Sequence, residues 1–296
     1  MAVKTVTAVI NGQSYALTEN STTGKWEATI TAPSTSSYNQ TNHYYNVSVT
    51  AEDDAGNTTT KDATDSTLGS DLQLTVKEKV APTISITSPT ASATLTNNKP
   101  TISFTVSDTD SGVDPDTISI KIDGGTAITS FTKTASGKNY ICSYTPTTAL
   151  ADGSHTIVID ASDYDGNAAT AKSVTFKVDT VPPTLSVTAP TEGLITNNAT
   201  VTVSGTTNDV TSSPVTLTVN DKAVTVGSDG TFSTTVTLSS GSNTITIVAT
   251  DSAGKSTTVT RTVTLDTGAP VFNAVSITPN PVDCGATFVI SVDVTD

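Results

Sequence analysis

Apolar residues alternate with polar ones in short runs along nearly the whole chain, and Gly, Asn, Asp and Pro separate the runs. Tyr45-Asn-Val-Ser-Val-Thr-Ala51, Thr156-Ile-Val-Ile-Asp-Ala161 and Ile245-Thr-Ile-Val-Ala249 carry the pattern most clearly. A period of two sends successive side chains to opposite faces of an extended backbone, so each run predicts a strand with one buried face. No window has the 3.6-residue period of an amphipathic helix.

Each of these runs leads into the same turn: Ala51-Glu-Asp-Asp-Ala-Gly-Asn57, Ala161-Ser-Asp-Tyr-Asp-Gly-Asn167 and Ala249-Thr-Asp-Ser-Ala-Gly-Lys255. Asp and Asn bond their own backbone in tight turns and Gly supplies positive φ, so the motif predicts a β-hairpin tip. Its first shared Asp stands at 53, 163 and 251, giving repeats of 110 and 88 residues. That is the size of an immunoglobulin-type sandwich, roughly 100 residues.

The repeats divide the chain. Residues 1–79 are expected to hold strands either side of Asn11-Gly12, a strand Lys25–Ile30 with Trp26, Ala28 and Ile30 on one face, the motif hairpin, and a last strand near Leu72–Val76. Residues 80–180 open on Val80-Ala-Pro-Thr-Ile-Ser-Ile86 and residues 181–267 on Val181-Pro-Pro-Thr-Leu-Ser-Val187, followed by Thr96-Asn-Asn98 and Thr196-Asn-Asn198. Proline in each linker, and again at Gly268-Ala-Pro270, fixes φ and stiffens the joint. An all-β string of sandwiches is expected.

These opening strands, the Thr-Asn-Asn turns and the Ala-x-Asp-x-x-Gly-Asn hairpins together resemble bacterial Ig-like tandem repeats. Such repeats occur in surface adhesins and in phage virion proteins. The N-terminus alternates rather than forming the apolar run of a signal peptide, and it starts directly on a repeat. In this it looks more like the phage tail-associated members. The resemblance implies a non-enzymatic structural, decoration or assembly protein of a phage or phage-like particle, assembled in the bacterial cytoplasm, with other virion proteins as partners. The alternative is a surface adhesin region at the cell surface, binding host glycan or protein.

Aligning the repeats also predicts a sandwich split between the termini. Residues 1–79 lack the two strands that open each later repeat, and residues 268–296 supply such a pair. Phe288-Val-Ile-Ser-Val-Asp-Val-Thr-Asp296 parallels Pro100-Thr-Ile-Ser-Phe-Thr-Val-Ser-Asp108. The C-terminal hairpin is therefore expected to complete the first repeat by strand addition, burying Phe288, Ile290, Val292 and Val294. Closure within one chain gives a triangle; exchange between chains gives a ring or filament, which the stiff linkers favour.

Charge and chemistry narrow the function further. With 28 acidic and 14 basic residues the net charge is −14, which disfavours nucleic acid and anionic membrane as partners. Cys142 and Cys284 fall in different repeats, so neither has an evident disulfide partner. His43 and His155 lie in no zinc-ligand spacing, and no nucleophile elbow or phosphate-binding loop occurs. Neither a cofactor nor catalysis is expected. Asp108, Asp110, Asp114 and Asp116 crowd one loop. Asp108, Asp110 and Asp114 are calcium candidates, but an acidic turn explains the cluster better, and the third repeat shows no equivalent of it. Trp26 and Tyr45 fall on core-facing positions, which leaves Tyr38 and Tyr44 as the surface aromatics able to stack on a sugar.

Overall fold

A computed structural model describes residues 2–296. The chain divides into two compact units, Met1–Val178 and Asp179–Asp296. Each contains one complete Ig-like β-sandwich module.

The first unit opens with six strands: β1 (Val3–Ile10), β2 (Gln13–Asn20), β3 (Lys25–Glu27), β4 (Tyr45–Asp53), β5 (Thr58–Lys61) and β6 (Gln73–Leu74). They form one sheet in the order β3-β2-β1-β4-β5, with β6 paired to β4. Asn11 and Gly12 turn β1 into β2 with φ of 48° and 74°, the left-handed pair that a two-residue hairpin needs. Val6, Ala8 and Ile10 face Ala51, Val49 and Val47 across the β1–β4 ladder, so one apolar face runs over both strands. Tyr45 is buried as expected, while Trp26 is only half-buried. The strand expected over Lys25–Ile30 holds only at Lys25–Glu27. It pairs with Thr18–Asn20 of β2 on one edge, and among the described residues no strand meets its other edge.

The second module has eight strands: β7 (Thr83–Ser88), β8 (Thr94–Leu95), β9 (Ile102–Ser107), β10 (Val113–Ile122), β11 (Thr132–Ser136), β12 (Asn139–Tyr144), β13 (Gly153–Asp163) and β14 (Lys172–Val178). One sheet runs β10-β13-β14-β8 and the other β11-β12-β9-β7. Ile102, Phe104 and Val106 of β9 interleave with Ile118 and Ile120 of β10 and with Ile157 and Ile159 of β13 in one core. The acidic stretch 108–116, expected as a turn, is partly strand. Val113 and Asp114 already pair with Asp163 and Ser162, and a bulge separates them from Ser119. Cys142 is buried in this core, where desolvation pushes its thiol up to about 11 against the opposing pull of Lys133; Cys284 is exposed, and both thiols are free.

The second unit repeats the plan with β15 (Thr184–Ala189), β16 (Leu194–Thr196), β17 (Thr200–Asn208), β18 (Thr216–Val219), β19 (Lys222–Val224), β20 (Thr231–Thr237), β21 (Gly241–Thr250) and β22 (Ser256–Leu265). Its sheets are β15-β17-β20 and β16-β22-β21-β18-β19. Val203, Phe232, Ile245, Ile247 and Val263 are central to the core between them. Short β8 and β16 cross to the opposite sheet and pair in parallel with β14 and β22.

The unit ends in the hairpin β23 (Val271–Thr278) and β24 (Val289–Thr295), which forms a two-stranded sheet of its own. Ile277, Val275 and Phe272 stand opposite Ile290, Val292 and Val294. One face is therefore continuously apolar, and all of its residues are exposed. Phe288 lies just before β24 and is exposed as well.

Candidate functional site

Three segments meet at the head of each complete module: the linker that enters it, the loop after its central strand, and the motif hairpin. In the first unit they bring Glu78, Asp108 and Asp163 together, with one carboxylate oxygen from each lying within 4.8 Å of the others. Asp163 ends β13, and its Oδ1 and Oδ2 accept from the backbone N–H and side-chain amide of Asn167, each at 2.8 Å. Asp108 Oδ1 accepts from the backbone N–H groups of Asp110 at 2.9 Å and Gly112 at 2.7 Å. Gly112 has φ of +89°, a conformation that lets the loop fold back over this carboxylate. Glu78 accepts from Val80 N–H at 2.6 Å and from Ser111 Oγ at 3.2 Å. Burial raises the Glu78 carboxyl above its ordinary value, as do the Asp163 and Asp108 carboxylates, against the donors from Val80 and Ser111.

The second unit has the same constellation in Asp179, Asp209 and Asp251, again within 4.8 Å of one another. Asp251 Oδ1 accepts from Lys255 N–H at 2.9 Å, as Asp163 does from Asn167. Asp209 Oδ1 accepts from Thr211 and Ser212 N–H at 2.8 and 2.6 Å, and Asp179 Oδ1 from Val181 N–H at 3.2 Å. All three are buried: Asp179 is 0% exposed, Asp251 5% and Asp209 8%. Oδ2 of Asp179, Oδ2 of Asp251 and the hydroxyl of Ser212 are buried without any hydrogen-bond partner.

This geometry corrects the sequence-based picture twice. Of the three calcium candidates, only Asp108 joins a cluster. Asp110 instead accepts from Ser36 N–H at 2.9 Å and the Asn39 amide at 2.6 Å, and Asp114 Oδ1 accepts from Asp116 N–H at 3.0 Å. The third repeat, expected to have no equivalent cluster, holds the more deeply buried one. Asp163 does the turn chemistry expected of the motif through Asn167, and Asp251 does so through Lys255 N–H, yet each also belongs to a cluster.

The surface aromatics are placed differently from each other. Tyr38 lies nearly parallel to His43 (ring centroids 3.9 Å apart, 15°) and to Tyr164 of the second module (4.1 Å, 9°). Stacked between two rings, it has no free face for a sugar. Tyr44 is half-buried beside Gln40, Thr41, Asn42 and Asn46. Ser36, Tyr38 and Asn39 thus dock the first module on the second, and Lys77 Nζ and Glu78 N–H add bonds to Asp165.

His155 serves structure. Its Nδ1 contacts Asp123 Oδ2 and its Nε2 the Ala151 carbonyl, both at 2.7 Å. Burial opposes its charge, but the Ala151 carbonyl and the Asp123 carboxylate outweigh that and raise its pKa above 6.5. A raised folded-state pKa stabilises fully below about pH 6.5, and the gain is lost as pH climbs through the higher folded value. His155→Gln is therefore expected to lower the urea midpoint of the first unit at pH 6 more than at pH 8. Equal losses at both values would contradict a charged His155.

The fold is a tandem array of Ig-like β-sandwiches. Residues 75–180 match the bacterial Ig-like domain family, and residues 183–267 match domain B of glucodextranase. A 124-residue stretch is 32% identical to Bacillopeptidase F of Bacillus subtilis (strain 168), covering 42% of this chain and 8% of that protein's length. Among solved structures, a three-Ig fragment of titin aligns at TM-score 0.44 and 13% identity, covering 89% of this chain and 88% of that one. The tetra-tandem repeat in the extending region of a large adhesion protein aligns at TM-score 0.36 and 20% identity, over 98% and 79%. Fibronectin(III)-like modules from Clostridium thermocellum align at TM-score 0.34 and 18% identity, over 62% and 93%.

Proposed function

We propose that the chain is a non-enzymatic structural and assembly element, joining copies of itself by adding the hairpin of one copy to the first module of the next. The exposed apolar face of β23–β24 carries this reading. A lone two-stranded sheet is marginal in water, and six large apolar side chains on one face need a cover.

What the equivalent strands do elsewhere in the chain supports one cover in particular. β7–β9 and β15–β17 are the counterparts of β23–β24, and in each case the second strand bonds a further strand, β12 or β20, on its outer edge. In the first module the counterpart of β12 and β20 is β3, whose outer edge is open. The free edge of β24 therefore fits the free edge of β3, with Ile290, Val292 and Val294 turned towards the apolar face of β1 and β4. Proline linkers resist folding the chain back on itself, so the recipient is a second copy. The setting that the sequence resemblance implies, a phage or phage-like particle with other virion proteins as neighbours, suits a self-propagating string of this kind.

Light scattering tests the reading. The intact chain is expected to gain mass with concentration, and Ile290→Asp combined with Val292→Asp to remain a monomer with its second and third modules intact. A monomer at every concentration, or equal association by the variant, would overturn it.

A further inference from the structure

We propose that Asp179, Asp209 and Asp251 form a calcium site that ties the entering linker to the loops of the third module. The two buried, unpartnered carboxylate oxygens carry the argument. A carboxylate oxygen taken out of water without a donor is costly, and Asp179 Oδ2 and Asp251 Oδ2 both lack one. Their remaining oxygens are held by backbone N–H groups of Val181 and Lys255, and both Asp209 donors likewise go to one oxygen, Oδ1. Asp179 and Asp251 thus each have one oxygen anchored and the other left without a donor.

Among the described residues no Lys, Arg or His side chain forms a salt bridge with any of the three. Three carboxylates buried side by side with no cationic side chain among them leave room for a bound cation. An all-oxygen donor set with no His or Cys points to a hard divalent ion. Donor atoms within 4.8 Å of one another match oxygens around an ion with bonds of about 2.4 Å, the calcium range. Ser212, whose hydroxyl is also buried and unpartnered, belongs to the same Asp209 loop and can supply a further oxygen or hold a bound water. In the first unit Glu78, Asp108 and Asp163 occupy equivalent positions, but the longer Glu78 takes a proton donor from Ser111, the counterpart of Ser212, and Asp163 Oδ2 is held by Asn167. That cluster is satisfied more fully without an ion, so the third module holds the tighter site.

The same positions recur a third time in two pieces. Asp266 precedes β23 as Asp179 precedes β15, and its Oδ1 accepts from Gly268 N–H at 2.9 Å. Asp296 follows β24 as Asp209 closely follows β17, and Asp53 ends β4 as Asp163 ends β13. A Cβ built on Gly268 would lie 3.3 Å from Asp266 Oδ1 and 3.8 Å from Asp296 Oδ1, so the two carboxylates converge. Adding the hairpin to a first module would bring Asp53 to them. This consequence rests on the assembly proposed above: calcium would then strengthen association between copies.

The test is calorimetric titration of calcium chloride into the intact, chelator-treated chain, with thermal unfolding in calcium and in chelator. Expected are saturable binding and a rise of the third-module transition on the order of 5 °C with calcium. Asp179→Asn with Asp251→Asn should weaken binding at that site at least tenfold and abolish the rise. In chelator the variant should melt no lower than the parent, because the substitution removes repulsion; that control separates loss of a ligand from loss of the fold. No binding at millimolar calcium, or unchanged binding by the variant, overturns the site. Asp266→Asn addresses assembly separately. Association that ignores calcium and this substitution would refute the composite site alone, and absence of association would refute the assembly while leaving the Asp179 site standing or falling on its own titration.

Discussion

Phe104→Ala is expected to destabilise the second module by about 4 kcal/mol, the range for truncating a fully buried aromatic. Phe104 is 1% exposed, sits opposite Cys142 in the β9–β12 ladder, and has the Phe131 ring 6.0 Å away. Its neighbours belong to both sheets, and the strands that carry them are fixed by their ladders, so the cavity cannot close cheaply. A module of this size loses roughly 4–8 °C per kcal/mol, so its melting transition should fall by about 20 °C. Calorimetry resolves the module transitions. A fall of only a few degrees would mean that the two sheets are less firmly packed than the core implies.

Gly205→Ala is expected to cost the third module about 3 kcal/mol through overpacking. Gly205 lies mid-strand in β17, opposite Val187 of β15 and Phe232 of β20. A Cβ there would stand 2.0 Å from the Ser186 carbonyl oxygen and 2.9 Å from Phe232 Cζ. The ring can swing, but the carbonyl belongs to the β15 backbone and moves only with its strand. Where many other glycines of this chain serve positive φ in turns, Gly205 serves close approach, so alanine fails on space rather than on backbone conformation. Urea denaturation of the second unit measures the loss; a midpoint unchanged from the parent would show that β15 slides freely there.

Much of this architecture was legible in the sequence because period-two alternation and the Asx-Gly turns are local signals. The ladders around Tyr140–Tyr144, His155–Ala161 and Ile245–Ala249 fall where the alternation places strands. What failed were features decided by partners distant in the chain. Trp26, Ala28 and Ile30 alternate well, yet the expected strand stops at Glu27, on an edge whose outer side pairs with no described strand. β8 and β16 are too short to leave a periodic trace. Tyr38 is polar and lies in a single 3-10 turn, Ser37–Asn39; that its ring is covered follows from Tyr164, a residue of the next module.

The candidate site shows the same division. The Asp residues between 108 and 116 do not converge, because short spacing favours turn hydrogen bonds such as those of Asp108 with Asp110 N–H and Asp114 with Asp116 N–H. Asp108 meets Glu78 and Asp163, each tens of residues away, and Asp209 meets Asp179 and Asp251 in the same manner. The available signal was the recurrence of an acidic residue before the Pro linker, after the central strand and at the hairpin. Comparing repeats position by position exposes it, whereas local spacing hides it.

Hydrogen–deuterium exchange across a concentration series tests the central claim of assembly most directly. If the hairpin of one copy completes the first module of another, amides of Val289–Thr295 and of Lys25–Ile30 become protected together as concentration rises. Ile290→Asp with Val292→Asp removes the protection from both segments. Fast exchange in both at every concentration, with the cores of the second and third modules fully protected, would contradict the account.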